Sequence, residues 1–389
     1  MRVECLALIG GTMLSCVAWA GEDVKRVADD ASLRAALRQA RPGTRIVISK
    51  GRYSPGVSVR DLHGTPAVPI VIEGEDPQNP PLFEGGSVAW QLSDCSYVTL
   101  RNLSVRGQRH NGINIDDGGT FDTPAHHLVL EDLRVAEIGP SGNFDGIKLS
   151  GVDDFVVRRC TVEGWGGQAV DMVGCHRGVI EDCTFRGRKG FSQHTGPQAK
   201  GGSSEIAIRR CLFIEGGGRA VQMGGSTGMR FFRPPGALYE AKDIRVEGCV
   251  FVGSDAAVAF TGVDGGVFRY NTIYRPTRWI LRILQETTAP GFVPCRRGRF
   301  ERNLIVFRRN ELSTAVNIGP NTQPESFTFA HNWWFCEDRP EASKPQLPAA
   351  EIDGVYGIDP KLADPQRNRF EPRNPSAARF GANAWPPEK

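Results

Sequence analysis

A triplet of apolar, polar and apolar residues recurs nine times along most of the chain and keeps one phase throughout. Its copies are Trp90-Gln91-Leu92, Ile113-Asn114-Ile115, Ile147-Lys148-Leu149, Val170-Asp171-Met172, Ala199-Lys200-Gly201, Val221-Gln222-Met223, Val258-Ala259-Phe260, Leu281-Arg282-Ile283 and Val316-Asn317-Ile318. A second apolar run accompanies each one: LRNLSV, LEDLRV, RRCTVE, EDCTFR, RRCLFI, EGCVFV, RYNTIY, ERNLIV and AHNWWF. Self-similarity at this period is the mark of a solenoid, in which each repeat buries its core against its neighbours.

The second runs carry an anchor residue at Asn102, Asp132, Cys160, Cys183, Cys211, Cys249, Asn271, Asn303 and Asn332, spaced 22 to 38 residues apart. The shortest spacing gives the bare repeat, and longer ones add a loop. Three short strands and three turns fill about 22 residues at roughly 3.3 Å per strand residue. The pattern predicts an all-β chain coiled as a right-handed parallel β-helix over residues 45–335. An antiparallel sandwich would not hold one phase across intervening insertions. Leu33, Ala36, Leu37 and Ala40 follow helical spacing before Pro42-Gly43, which predicts a helical cap within an N-terminal segment of residues 21–44. Such a cap would cover the open edge of the first coil. Residues 336–389 are rich in Pro, Arg and Asn and read as an irregular segment lying along the helix or capping it.

Residues 1–20 read as a secretion signal: Arg2, an apolar stretch, then Ala18-Trp19-Ala20 before Gly21. The mature chain is expected to be secreted or periplasmic, without a membrane span, and monomeric. The net charge is +3, from 47 Lys and Arg against 44 Asp and Glu, too small a bias for a nucleic-acid partner. Cys160, Cys183, Cys211 and Cys249 occupy one repeat position that Asn fills elsewhere. A column of equivalent positions converges on no metal, so these thiols are expected to stack in the interior. Cys295 and Cys336 lie off that ladder, and the sequence leaves their pairing open.

The middle residues of the triplets form one outward column, with neighbours roughly 4.8 Å apart. Lys148, Asp171, Lys200, Gln222 and Arg282 stand in it. This composition suits an anionic ligand better than a solvated salt-bridge ladder. Gly151, Gly174, Gly201, Gly202, Gly224 and Gly225 flank its centre, where close approach to the backbone is useful. Two insertions border it: Gly187 to Pro197, carrying His194, and Gly228 to Tyr239, carrying Arg230 and Arg233. Loops beside a rigid sheet build the walls of clefts.

Three stretches resemble a known group. SLRAALRQARPGTRIVISKGRYS, GTPAVPIVIEG and DPKLADP…RFEPRNPSAARFGA look like the end segments of extracellular β-helix polysaccharide lyases. The segment QAKGGSSEIAIRRCLFIEGGGRAVQMGG is similar to the part of the chondroitinase B and alginate lyase group (polysaccharide lyase family six) that holds its catalytic lysine. The resemblance implies a pectate-lyase-like solenoid acting on an anionic polysaccharide, with Lys200 as the base. It departs at the group's catalytic arginine, which falls on Gln222, or on Met223 if the register slips. It departs again at the calcium ligands, which fall on Thr195, Gln193 and near Glu163.

Eliminative cleavage of a uronic-acid polymer needs a neutraliser for the carboxylate, a base for the C5 proton and an acid for the leaving oxygen. Lys200 suits the base, with His194 as a second acid–base candidate. Arg282 and Arg219 suit the carboxylate, because guanidinium grips it bidentately. Lys148, Arg230 and Arg233 add positive charge around the substrate, and Asp171 opposes Lys200 acting as a base. Calcium is the alternative neutraliser, with Asp145, Asp153, Asp154 and Asp171 as oxygen donors. A β-helix glycoside hydrolase, using paired carboxylates, and a non-catalytic carbohydrate-binding protein are the other function classes.

Overall fold

Parallel strands stack coil upon coil, each hydrogen-bonded to its equivalents in the turns above and below. The computed structural model describes residues 23–120 and 122–386; the expected signal segment lies outside them. Each coil visits three sheets in turn, and the coils wind right-handed as a parallel β-helix. A long sheet runs from Asp23–Val27 to Glu351–Ile352. A second, the site sheet, runs from Val57–Arg60 to Val316–Ile318. A third runs from Arg52–Tyr53 to Val355–Tyr356. Inward residues of all three fill one continuous apolar core. No helix among the described residues is long and apolar enough to cross a membrane.

The helix starts and ends beyond the expected bounds. Asp23–Val27 already pairs with Thr44–Ile48, so the first coil begins near residue 23 rather than 45. Helix α1, Asp30–Arg38, is inserted between those two strands; Asp29 caps it by accepting from Ser32, and Leu33, Ala36 and Leu37 are buried. At the other end, strands continue to Tyr356. The tail then folds back over the third sheet's outer face. There Phe380 meets Trp333 at 5.4 Å, and Trp385 packs on Gly248.

Between the long and third sheets the chain turns through a left-handed residue, then buries the next side chain. Arg159, Asp182, Arg210, Tyr270, Arg302 and His331 all have φ between 51° and 54°. Asn102 and Asp132 share that turn position, so they do not belong to the Cys/Asn ladder. Leu103 and Leu133 take the ladder position in those coils. The ladder itself is hydrogen-bonded from coil to coil. Cys160 N–H donates to Cys183 Sγ at 3.4 Å, and Cys211 N–H to Cys249 Sγ at 3.4 Å. Cys249, Asn271 and Asn303 N–H each donate to the next Asn Oδ1 at 2.9 Å. Glu351 ends the series, accepting from Asn332 N–H and Nδ2, Trp334 Nε1 and Tyr356 Oη.

The eight cysteines among the described residues are free and buried. Cys295 and Cys336 form no disulfide. Cys95, Cys175 and Cys295 line a second interior corner, between the site and long sheets. Burial pushes their thiols up, to about 11 for Cys95 and about 12 for Cys175 and Cys295.

Two outcomes follow from the ladder. Asn303→Ala orphans Asn271 N–H and removes the bonds that Asn303 Nδ2 donates to Phe268 O and Asn332 Oδ1. It should destabilise by about 2–4 kcal/mol in urea unfolding, against about 1 kcal/mol for Cys211→Ala. A water-soluble thiol reagent should leave all eight cysteines unmodified in the native protein and titrate them only in denaturant.

Candidate active site

The site sheet's outward face carries the polar residues that the triplets announced, with one change of register. Asn114, Lys148 and Asp171 stand side by side on successive strands. The next member is Gln198, not Lys200, because Pro197-Gln198-Ala199 pairs with Val170-Asp171-Met172. Gln222, Ala259, Arg282 and Asn317 continue the column. Lys200 lies two residues further along its strand, on the same face, just before the left-handed Gly201-Gly202 turn. Lys148, Asp171 and Lys200 thus occupy three adjacent coils of one sheet.

A second outward column lies three residues before the first, on the sheet's leading edge. It includes Asp145, Gln168, Thr195, Arg219, Ala256 and Trp279. Members of the two columns touch across three residues. Asp145 Oδ2 lies 3.3 Å from Lys148 Nζ, Arg219 donates to Gln222 at 2.9 Å, and Arg282 stacks 4.2 Å over Trp279. The small residues between the columns, such as Gly146 and Gly196, sit against the next coil's backbone; a Cβ on Gly196 would lie 2.0 Å from Ala220 O.

At the centre Asp145, Lys148, Asp171 and Lys200 form a charge-balanced tetrad. Lys148 Nζ bonds Asp171 Oδ2, and Lys200 Nζ lies 3.0 Å from Asp171 Oδ1. Asp145 Oδ1 accepts from Gln168 N–H at 2.9 Å. Both carboxylates are fully buried, whereas the side chains of Lys148 and Lys200 are 24% and 12% exposed. The lysines therefore present their edges to the trough and the acids lie beneath them. Burial raises Asp145, and the neighbouring Asp171 charge adds to this, bringing it to about 6. Burial acts on Asp171 in the same sense, but Lys200 and Lys148 outweigh it and hold that carboxyl below its usual range. Burial opposes charge on Lys148, yet Asp171 and Asp145 keep it above the ordinary lysine value.

Further along, positive charge accumulates. Arg219 lies 3.6 Å from Glu286, and Arg282 donates to Asn317 at 2.9 Å. Burial, then repulsion from Arg219, pulls Arg282 below its usual value. Toward the other end, Asn111, Asn114, Gln91 and Asp116 form a chain of amide hydrogen bonds. One wall is the segment 225–239, which doubles back past Lys200, where Arg233 Nε donates to Asp117 Oδ2 at 2.6 Å. The segment 285–295 packs behind it through Phe232 and Phe292. Buried Glu240 ties both to the sheet. It accepts from Gly201 N–H, Thr227 N–H and Oγ1, and Thr287 Oγ1, at 2.6 to 2.9 Å.

Several expected site residues sit elsewhere than a shared centre. Asp171 and Gln222 are buried supports rather than surfaces for a ligand. Arg282 is three coils from Lys200, about 14 Å at roughly 4.8 Å per coil. His194 is exposed at the opposite end of Lys200's strand, about 20 Å away at roughly 3.3 Å per residue. Arg233 is spent on Asp117, and Arg230 is exposed on the wall, stacked on Phe231. Asp153 and Asp154 lie on another face, paired to Arg177 at 2.7 and 2.8 Å. The four acids considered as calcium donors do not converge: Asp145 and Asp171 are occupied by ammonium groups. The positions matching the lyase group's calcium ligands do not fit the ion either. Thr195 is buried, Gln193 bonds the backbone of its own loop, and Glu163 lies 3.7 Å from Arg188.

A model of the right-handed β-helix region matches residues 89–233. No curated protein matches the chain by sequence. Among solved structures, it is similar to an alginate lyase from Paenibacillus sp. str. FPU-7, with 16% identity and a TM-score of 0.54 over 76% of this chain and 97% of that one. A rhamnogalacturonan lyase aligns at 14% identity and a TM-score of 0.53, over 79% of this chain and 87% of the other. A pectate lyase aligns at 13% identity and 0.50, covering 78% and 79%. At these identities the shared property is the fold.

The tetrad has a defined pH signature. Asp145 stands above the ordinary carboxylate range, so its ionisation opposes folding. Its contribution is full below about 4 and declines as pH rises to about 6. Asp145→Asn should flatten that decline. Asp171 is shifted the other way: its contribution is present at neutral pH and fades only below the usual carboxylate range. Asp171→Asn, which strips both lysines of their shared partner, should cost about 3–5 kcal/mol at neutral pH. Urea unfolding of both variants across pH reads the two opposite trends.

Proposed function

We propose that this protein is a secreted or periplasmic polysaccharide lyase that cleaves an anionic, uronic-acid-containing polymer by β-elimination. One observation carries the reading: two lysine edges flank a buried carboxylate at the centre of a polar trough that continues toward Arg219 and Arg282. The fold it shares with solved alginate, rhamnogalacturonan and pectate lyases supports the same substrate class.

Lys148 faces the carboxylate of the sugar to be cleaved and neutralises the charge that builds as the C5–H bond breaks. Lys200 is the base. Its proton first passes to Asp171 Oδ1, 3.0 Å away, as the bound polymer displaces water and its carboxylate engages Lys148. The free amine then takes the C5 proton. The electron pair forms the C4–C5 double bond, the 4-linked oxygen leaves, and Lys200 returns the proton to it. Arg219 and Arg282 hold carboxylates of neighbouring sugars.

A hydrolase needs two carboxyl groups facing the glycosidic bond. Asp145 and Asp171 both lie buried beneath the lysines, which disfavours that reading.

Incubation with alginate, pectate and glycosaminoglycans should give an unsaturated, ultraviolet-absorbing product from one of them. Lys200→Ala should lower kcat about 10² to 10⁴-fold with the fold intact. Arg282→Ala should raise KM about tenfold with kcat little changed. New reducing ends without absorbance would indicate a hydrolase, and binding without either would indicate a lectin-like role. Near-normal turnover by Lys200→Ala would remove it as the base.

A further inference from the structure

A second cavity of about 470 Å³ opens beside the leading edge of the site sheet. It spans the turns that feed the strands beginning at Thr195, Arg219 and Ala256. Its floor is largely backbone. Gly217 and Gly253 have φ of 117° and 70°, a conformation that favours glycine. Gly218 carries no side chain, and the Asp255 carboxylate overhangs it, with Oδ2 3.9 Å from where a Cβ would stand. One wall is the loop 188–193, pinned by Gln193, whose side chain bonds Arg188 N–H, Arg188 O and Phe191 O at 2.6 to 2.8 Å.

Ser254 lines this cavity and is only 8% exposed, and its hydroxyl has no hydrogen-bond partner among the described residues. An unpaired buried hydroxyl is unfavourable unless a ligand or water completes it. Beside it, Asp255 Oδ1 accepts from Thr277 Oγ1 at 3.1 Å. Phe191 contributes a half-buried ring to the lining. Carboxylate oxygens, hydroxyls and an aromatic ring around a glycine floor suit a molecule with many hydroxyl groups and one apolar face. The lining sets two acids, Glu215 and Asp255, against two cations, Lys189 and an Arg188 paired with Glu137 at 2.6 Å, so it offers a second anion no net positive charge.

We propose that this cavity is a subsite for an uncharged sugar unit. Resting on the lyase reading, the polymer taken by the trough then carries neutral sugars, as branches or substituents, next to its uronates. Trp279, over which Arg282 stacks, donates its backbone N–H to Asp255 O at 2.7 Å, so the subsite adjoins the trough rather than standing apart from it.

The test is binding of methyl β-galactoside, methyl β-glucoside and methyl β-glucuronoside to the full-length protein, followed by saturation-transfer NMR. At least one neutral glycoside should bind. Its affinity should fall about tenfold in Asp255→Ala and measurably in Ser254→Ala, and be unchanged in Lys200→Ala. Thermal unfolding checks that each variant is folded; if Asp255→Ala is not, Ser254→Ala and Thr277→Val decide. The proposal is overturned if no neutral glycoside binds, if Ser254→Ala and Asp255→Ala bind as the parent does, or if Lys200→Ala abolishes binding. Stronger binding of the glucuronoside at the same residues would overturn the neutral assignment. Neutral binding with no polymer degraded would sink the lyase reading alone; degradation without neutral binding would sink the subsite alone.

Discussion

Within the coils, side chains on paired strands meet their own equivalents. Parallel strands stack in register, so a residue on one coil faces the same position one coil above and below, roughly 4.8 Å away. Like charges in such a column would repel at every step. The long sheet's outer face resolves this by alternation: Glu73, Arg101, Glu131, Arg158, Glu181, Arg209, Glu247, Arg269 and Glu301 succeed one another down the helix. In this column Glu73, Glu131 and Glu247 are buried beneath partly exposed arginines, so each carboxylate has a partner. The main effect of the alternation is to remove the repulsion that a one-sign column would impose. Inside, the same stacking turns Cys and Asn into a ladder whose backbone N–H groups are satisfied coil by coil.

The site face obeys the same rule with a different result. Lys148 and Lys200 are separated by the coil of Asp171, and Asp145 reaches in from the neighbouring column. Burying two acids under two ammonium groups is tolerable because the four charges balance and each has a near partner. That arrangement leaves the lysines as the surface that faces the trough. It also holds Lys200 Nζ 3.0 Å from Asp171, so the four side chains form one charge-balanced unit.

The walls come from insertions, which this architecture accommodates because each coil is held by backbone pairing to its neighbours. The segment 225–239 needs its own fastening. Arg233 supplies it on one side through Asp117, and Glu240 on the other through four hydrogen bonds. Arg233, expected from the sequence to bind substrate, and Glu240 thus shape the trough.

The repeat phase was legible in the sequence because apolar alternation at a fixed period leaves one way to bury every inward residue. From it came the β-helix, the interior thiols and the face that bears Lys148, Asp171 and Lys200, while the helical spacing of Leu33, Ala36, Leu37 and Ala40 announced the cap. Local ambiguity limited the rest. Pro197-Gln198-Ala199 and Ala199-Lys200-Gly201 both read as apolar–polar–apolar, and only pairing with the Asp171 strand selects the first. Asn102 and Asp132 looked like ladder residues because Asn and Asp suit left-handed turns as well as interior hydrogen bonding. The column of Asp145, Arg219 and Trp279 has no alternating signature, since it meets the central column at a spacing of three. Depth was also decided by tertiary structure: a polar residue in a triplet is outward by strand geometry, but Asp171 is buried because lysines from the coils on either side close over it. Strand direction is a local property of the chain, whereas burial and partnership depend on coils 20 to 40 residues apart in sequence.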